Sequence, residues 1–181
     1  MFRHFHSIME LYIIEDYREI YPDLKGSALT DKLTEDCVRR YGLQEFHILR
    51  TQKGKPYIAN STDSKEDEEM NDTNISVSHS GNIFVCIVSE KPVGIDVQHR
   101  RVASTEKIAD RYFKDEENAY VAERGENGFF TLWTRKEAYS KLTGKGLEEI
   151  IGGASVLDRE DVEFTDMQLE EGVWCSYCIK R

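Results

Sequence analysis

An α+β fold, with antiparallel strands and packed helices, follows from three features of the sequence. Between residues 75 and 98, apolar side chains alternate or run together in short stretches cut by turn residues, the mark of strands. Over residues 23–42 and 129–143, apolar residues recur at helical spacing and each run ends at a glycine. The last residues alternate once more, which adds a terminal strand.

Residues 1–16 read as a strand, apolar from Ile8 to Ile14. Residues 23–42 read as a helix, with Leu29, Leu33 and Cys37 four apart and Gly42 as its stop. Short strands at 46–51 and 56–59 flank the turn Lys53-Gly54-Lys55-Pro56. Residues 60–74 are acidic and lack any apolar period, so an exposed mobile loop is expected there. Residues 75–80, 83–89 and 93–98 read as a three-strand antiparallel meander. Ser104 and Asp115 are placed to cap two helices, and Gly125 stops the second. Residues 129–143 form a third, ended by Gly144-Lys145-Gly146. Strands are expected at 154–157 and 173–179. A seam near 90–92 divides the chain into halves, 1–90 and 91–181.

The chain has 181 residues, with 34 acidic against 24 basic side chains and a net charge of -10. A core of that size needs no disulfide staples, because a chain this long buries roughly 70% of its unfolded surface. The acidic balance excludes general binding to nucleic acid or anionic membranes, which rests on clustered Lys and Arg. No apolar run approaches the ~20 residues of a membrane span, and the N-terminus lacks the pattern of a signal peptide. Four cysteines in such a chain do not make a disulfide framework, so a reduced, cytoplasmic setting is expected.

Two segments could carry chemistry. In a strand over 93–98, Val93, Ile95 and Val97 face one way and Gly94, Asp96 and Gln98 the other. A carboxylate and an amide oxygen side by side suit a hard cation such as Mg²⁺, and a glycine beside them allows close backbone approach. A half-buried strand with a solvated face would look the same. On a helix over 133–141, Trp133, Lys136, Glu137, Ser140 and Lys141 share one broad face. A carboxylate between two ammonium groups matches a metal-bound polyphosphate, but also an ordinary Glu-to-Lys helix pair.

Together, and in order, KGKP (53–56), SHSG (78–81), GIDVQ (94–98), WTRKEAYSK (133–141) and TGKG (143–146) resemble the signature of the 4′-phosphopantetheinyl transferases. The match is to their long, surfactin-synthetase-activating class, with a shortened N-terminal half. The resemblance implies two similar, pseudo-symmetric α/β halves with coenzyme A between them. It also implies Mg²⁺-dependent transfer of the phosphopantetheine arm to a serine of an acyl or peptidyl carrier protein, releasing 3′,5′-ADP. By the same resemblance, Asp96 and Glu137 ligate Mg²⁺ and Lys141 contacts a phosphate with Lys136 near it. His79 contacts the 3′-phosphate with Ser78 adjacent, and Lys55 lies at the coenzyme A site. Glu117 matches the general base for the carrier serine, with Glu116 one position away as the other alignment. Gln98 stands where the family often has glutamate, so it would meet the metal directly or through water. A monomer is expected of this class. Arg100, Arg101 and Lys107 are candidates, by position, for docking an acidic carrier protein.

Other readings are weaker. Trp174-Cys175-Ser176-Tyr177-Cys178 resembles a thioredoxin-type W-C-x-x-C, yet only three residues follow Cys178 and no helix can start there. Zinc lacks a second cysteine pair. A P-loop fails because Pro56 and Gly146 follow the candidate lysines Lys55 and Lys145. Ser78-His79 lacks a nucleophile elbow. A non-catalytic module binding coenzyme A or a carrier protein is the alternative, and incubation with apo carrier, coenzyme A and Mg²⁺ separates it from the enzyme.

Overall fold

The computed structural model describes residues 8–60, 71–100, 105–146 and 153–181. The chain runs through β1 (Met9–Ile14), α1 (Tyr17–Ile20), α2 (Ser27–Tyr41), β2 (Phe46–Arg50), β3 (Pro56–Asn60) and β4 (Asn74–Ser80). It continues through β5 (Ile83–Ser89), β6 (Val93–His99), α3 (Thr105–Tyr112), α4 (Asp115–Thr143), β7 (Val162–Glu170) and β8 (Val173–Lys180). The fold is α+β with antiparallel sheets and packed helices: one sheet has the order β1-β5-β4, a second β6-β8-β7, and β2 and β3 form a hairpin.

β5 is buried at every position, which explains its unbroken apolar run. Phe84, Cys86 and Val88 face α2, meeting Leu29, Leu33, Cys37 and Val38. Ile83, Val85 and Ile87 face the other way, onto Val93, Ile95 and Val97 of β6 and Cys175 of β8. The far side of the second sheet is covered by α4, so helix, sheet, sheet and helix stack in four layers.

The meander is corrected: β4 and β5 pair, but β6 starts the other sheet and pairs with β8. β6 is an edge strand whose free N–H groups need acceptors. Ser76, Ser78 and Ser80, alternate residues of β4, supply hydroxyls in place of a ladder. Ile95 N donates to Ser76 Oγ at 3.0 Å, His99 N to Ser80 Oγ at 3.0 Å, and Ser78 Oγ to Asp96 Oδ1 at 2.7 Å.

α4 is two arms joined at Gly125, whose φ of 59° and ψ of -138° break the helix where the sequence predicts a stop. The arms fold back so tightly that a Cβ at Gly128 would lie 3.1 Å from Tyr120 O. Gly144, at φ 70°, caps the second arm. Lys114, not Asp115, is the N-cap of α4, and Ser104 lies outside the described residues. No strand forms over 154–157. The sequence hides β7, because its apolar alternation changes phase between Phe164 and Met167. α2 starts at Ser27, after Gly26 at φ 58°. Most of the acidic loop, 61–70, lies outside the described residues. Among the described residues no helix is long and apolar enough to cross a membrane.

Candidate functional site

The site begins with Gly94. A Cβ there would sit 1.9 Å from Ala138 O, so only glycine lets the second arm of α4 lie directly on β6. Two residues on, and on the same face, Asp96 projects beneath that helix. It is 7% exposed, and its Oδ1 accepts both Ser78 Oγ and Lys141 Nζ at 2.7 Å. Glu137, one helical turn before Lys141, is half-buried. Burial pushes its carboxyl above the ordinary value, the Asp96 charge adds to that, and Lys141 opposes it. The two carboxylates and Lys141 therefore form one electrostatic unit between β6 and α4.

Beside that unit opens a cleft of about 450 Å³, whose walls include Arg50, Lys53, Lys55, Ser76, Glu137 and Lys141. Lys55 Nζ donates to Leu142 O at 2.9 Å, tying the β2–β3 turn to the end of α4. Burial lowers its pKa from the ordinary lysine value. His79 is exposed, with Nδ1 3.4 Å from Tyr17 Oη. Its pKa is lowered by partial burial and by the charges of Arg18 and Lys141. Such an array of cations around two carboxylates can hold a polyanion together with a small cation.

Lys136 and Glu117 form a buried ion pair. The Lys136 side chain is 3% exposed and faces inward, with its Nζ 2.7 Å from Glu117 Oε2. Glu117 is 0% exposed; Oε2 also accepts Lys114 N, and Oε1 accepts Val156 N, each at 2.9 Å. Lys136 and both oxygens of Glu117 are thus engaged inside the protein, and Lys136 is not among the residues lining the cleft. Glu116 is exposed, but lines a separate acidic depression with Asp158, Glu160 and Asp161.

Gln98 Nε2 donates to His99 O at 2.8 Å, which fixes the amide at the end of β6. Arg100 is taken by Glu126, at 2.7 Å, and Arg101 lies outside the described residues. Cys175 and Cys178 are buried on opposite faces of β8, in different clusters, and burial pushes both thiols up to about 12, which makes them unreactive.

The sequence reading missed Arg50 and Lys53 as cleft residues. Their signal is the basic cluster Arg50, Lys53 and Lys55 around the Gly54 turn, held by Arg50 Nη1 donating to Gly54 O at 3.0 Å. Among the described residues no cluster of three or more His, Cys, Asp or Glu side chains is arranged to hold a metal. The donor set nevertheless fits a hard cation bound together with phosphate oxygens, for which one or two carboxylates suffice. The Lys141 ammonium already stands on Asp96 as a cation would.

Two family models match this chain: a "4′-phosphopantetheinyl transferase superfamily" model over residues 92–175 and a "4′-phosphopantetheinyl transferase, N-terminal" model over residues 4–92. The 4′-phosphopantetheinyl transferase gsp of Aneurinibacillus migulanus is 29% identical over 175 residues, covering 83% of this chain and 68% of that one. A 4′-phosphopantetheinyl transferase of Bacillus subtilis is 32% identical over 125 residues, covering 67% of this chain and 48% of its own length. The 4′-phosphopantetheinyl transferase Sfp of Bacillus subtilis (strain 168) is 30% identical over 146 residues, covering 77% and 61%. The chain thus spans between about half and two thirds of the length of these relatives.

Proposed function

The chain belongs to the 4′-phosphopantetheinyl transferase superfamily, and on that premise we propose that it moves the phosphopantetheine arm of coenzyme A onto a serine of an acyl or peptidyl carrier protein. The departing product is 3′,5′-ADP. The observation that carries this reading is the Asp96–Lys141–Glu137 unit at the edge of a cleft lined by Arg50, Lys53 and Lys55.

In this reading the diphosphate lies along the cleft, with Lys141 and Lys55 neutralising its oxygens and His79 meeting the 3′-phosphate. Asp96 and Glu137 would hold Mg²⁺, with Gln98 at the margin of that site. When bound, the ion would neutralise charge on the diphosphate as the bond to 3′,5′-ADP breaks. Ser78 acts through Asp96, whose oxygen it orients. The serine oxygen forms the new bond to phosphorus in line with the departing group, and its proton leaves to solvent or to Glu117, the base that the resemblance assigns. Phosphoryl transfer of this kind asks for positioning and charge neutralisation more than covalent chemistry. The halves 1–90 and 91–181 divide the work: Lys55, Ser78 and His79 come from the first, and Asp96, Glu137 and Lys141 from the second.

Incubation with apo carrier protein, coenzyme A and Mg²⁺, followed by the intact mass of the carrier, tests this. A carrier gaining one phosphopantetheine is the expected result. An unchanged mass with coenzyme A still bound would favour the non-catalytic module, for which the neutral Gln98 is the supporting feature.

A further inference from the structure

One oxygen of the Asp96 carboxylate, Oδ1, holds the protein's own cation. Oδ1 accepts Lys141 Nζ and Ser78 Oγ, both at 2.7 Å, in a side chain only 10% exposed. Lys141 lies four residues after Glu137, on the same side of α4, so its charge also acts on the Glu137 carboxyl. Lys55, the neighbouring lysine of the cleft, is bonded to Leu142 O instead. A free divalent ion arriving alone would have to settle beside an ammonium on a nearly dry carboxylate, and like charges repel. It would gain no further His, Cys, Asp or Glu ligand, since no third one completes a cluster among the described residues. A diphosphate changes that balance, because it offers oxygens to the metal and to the displaced ammonium at once.

We propose that Lys141 excludes free divalent metal while no diphosphate is bound, so that the ion enters only with the diphosphate, to which the lysine then transfers. This rests on the metal and coenzyme A reading given above. It assigns Lys141 a second role: counter-ion of Asp96, before it becomes a phosphate ligand.

The test is Mn²⁺ uptake by the metal-stripped full chain, read from the electron paramagnetic resonance signal of free Mn²⁺. The wild-type protein is expected to bind Mn²⁺ weakly alone and much more tightly once coenzyme A is added. Lys141→Met should bind Mn²⁺ alone about tenfold more tightly than wild type, since one nearby positive charge is gone. With coenzyme A present that advantage should disappear. Lys141→Arg, which keeps the charge, should stay as weak as wild type for Mn²⁺ alone. Equal affinity of wild type and Lys141→Met for Mn²⁺ alone, or wild-type affinity unchanged by coenzyme A, would overturn the exclusion role while leaving the metal site standing. Mn²⁺ that remains free even with coenzyme A, in every variant, would overturn the metal site itself and this inference with it.

Discussion

The Lys136 ammonium and the Glu117 carboxylate meet at 2.7 Å, with side-chain exposures of 3% and 0%. The pair joins the two arms of α4 across the Gly125 break. Through Val156 N it also holds the segment that follows the helix. Lys136 Nζ lies 5.4 Å from the centre of the Phe113 ring, so its charge is surrounded by an anion, an aromatic face and little water. Glu137 is the next residue, so whatever fixes Lys136 also fixes the direction of the candidate metal ligand.

Removing one partner leaves the other charged and buried. Lys136→Met is therefore expected to cost about 3–5 kcal/mol of stability, and Lys136→Met with Glu117→Gln to recover much of it. Urea unfolding midpoints check this. Wild-type stability in Lys136→Met together with lost transfer would instead return Lys136 to the phosphate.

Gly94→Ala places a methyl group where Ala138 O already is. The helix must move off the sheet, at a cost of about 1–3 kcal/mol. Because Asp96 and Glu137 sit on the two surfaces being separated, transfer should fall more steeply than stability. Comparing turnover with unfolding at one temperature gives the answer; a stable, fully active Gly94→Ala would contradict the close-contact account.

The serine row predicts a different pattern. Ser76→Ala leaves Ile95 N–H without its acceptor at a buried edge, at about 1–3 kcal/mol. Hydrogen exchange at the Ile95 amide should accelerate more than at amides of the central strand β5. Unchanged protection there would mean that the hydroxyl is not what satisfies the β6 edge.

His79 gives a pH dependence whose sign is fixed by the direction of its shift. Its folded pKa is below 6.5, so the unfolded chain takes up the proton first, and this residue's contribution to stability falls as pH drops from 6.5 through the folded value. A phosphate beside the ring raises the pKa in the complex. Binding of 3′,5′-ADP should therefore take up protons and strengthen as pH falls from about 8 to 6. Calorimetry in buffers of different ionisation heat measures the uptake; His79→Gln should abolish it.

Asp96→Ala and Glu137→Ala are each expected to nearly abolish transfer with the fold retained. Gln98→Glu adds a carboxylate beside the candidate metal site and should leave activity equal or higher. A tenfold loss in Gln98→Glu would show that donation from Nε2 to His99 O matters more than the added carboxylate. Carrier mass and circular dichroism on the same samples separate the two effects.

Much of this was legible in the residues. The alternation of Val93, Ile95 and Val97 against Gly94, Asp96 and Gln98 separated the two faces of β6, because period two is a local property, but it did not show that α4 covers the second face. Glycines at 42, 125 and 144 marked helix ends for the same reason. What the sequence hid was pairing at a distance. Nothing local says that β6 should pair with β8 and leave β4 to reach it with hydroxyls. Lys136 follows Leu132 and Trp133 at helical spacing, so it continues an apolar stripe inward. Its partner lies 19 positions earlier, on the other arm of α4, where no periodicity could reveal it.

The most direct test is a crystal of the protein soaked with coenzyme A and Mn²⁺, with the metal located by its anomalous scattering. The account predicts a peak bridging Asp96 and Glu137 to the diphosphate, with Lys141 Nζ moved from Asp96 Oδ1 onto a phosphate oxygen. A diphosphate bound away from those carboxylates, with Lys141 still on Asp96, would contradict it.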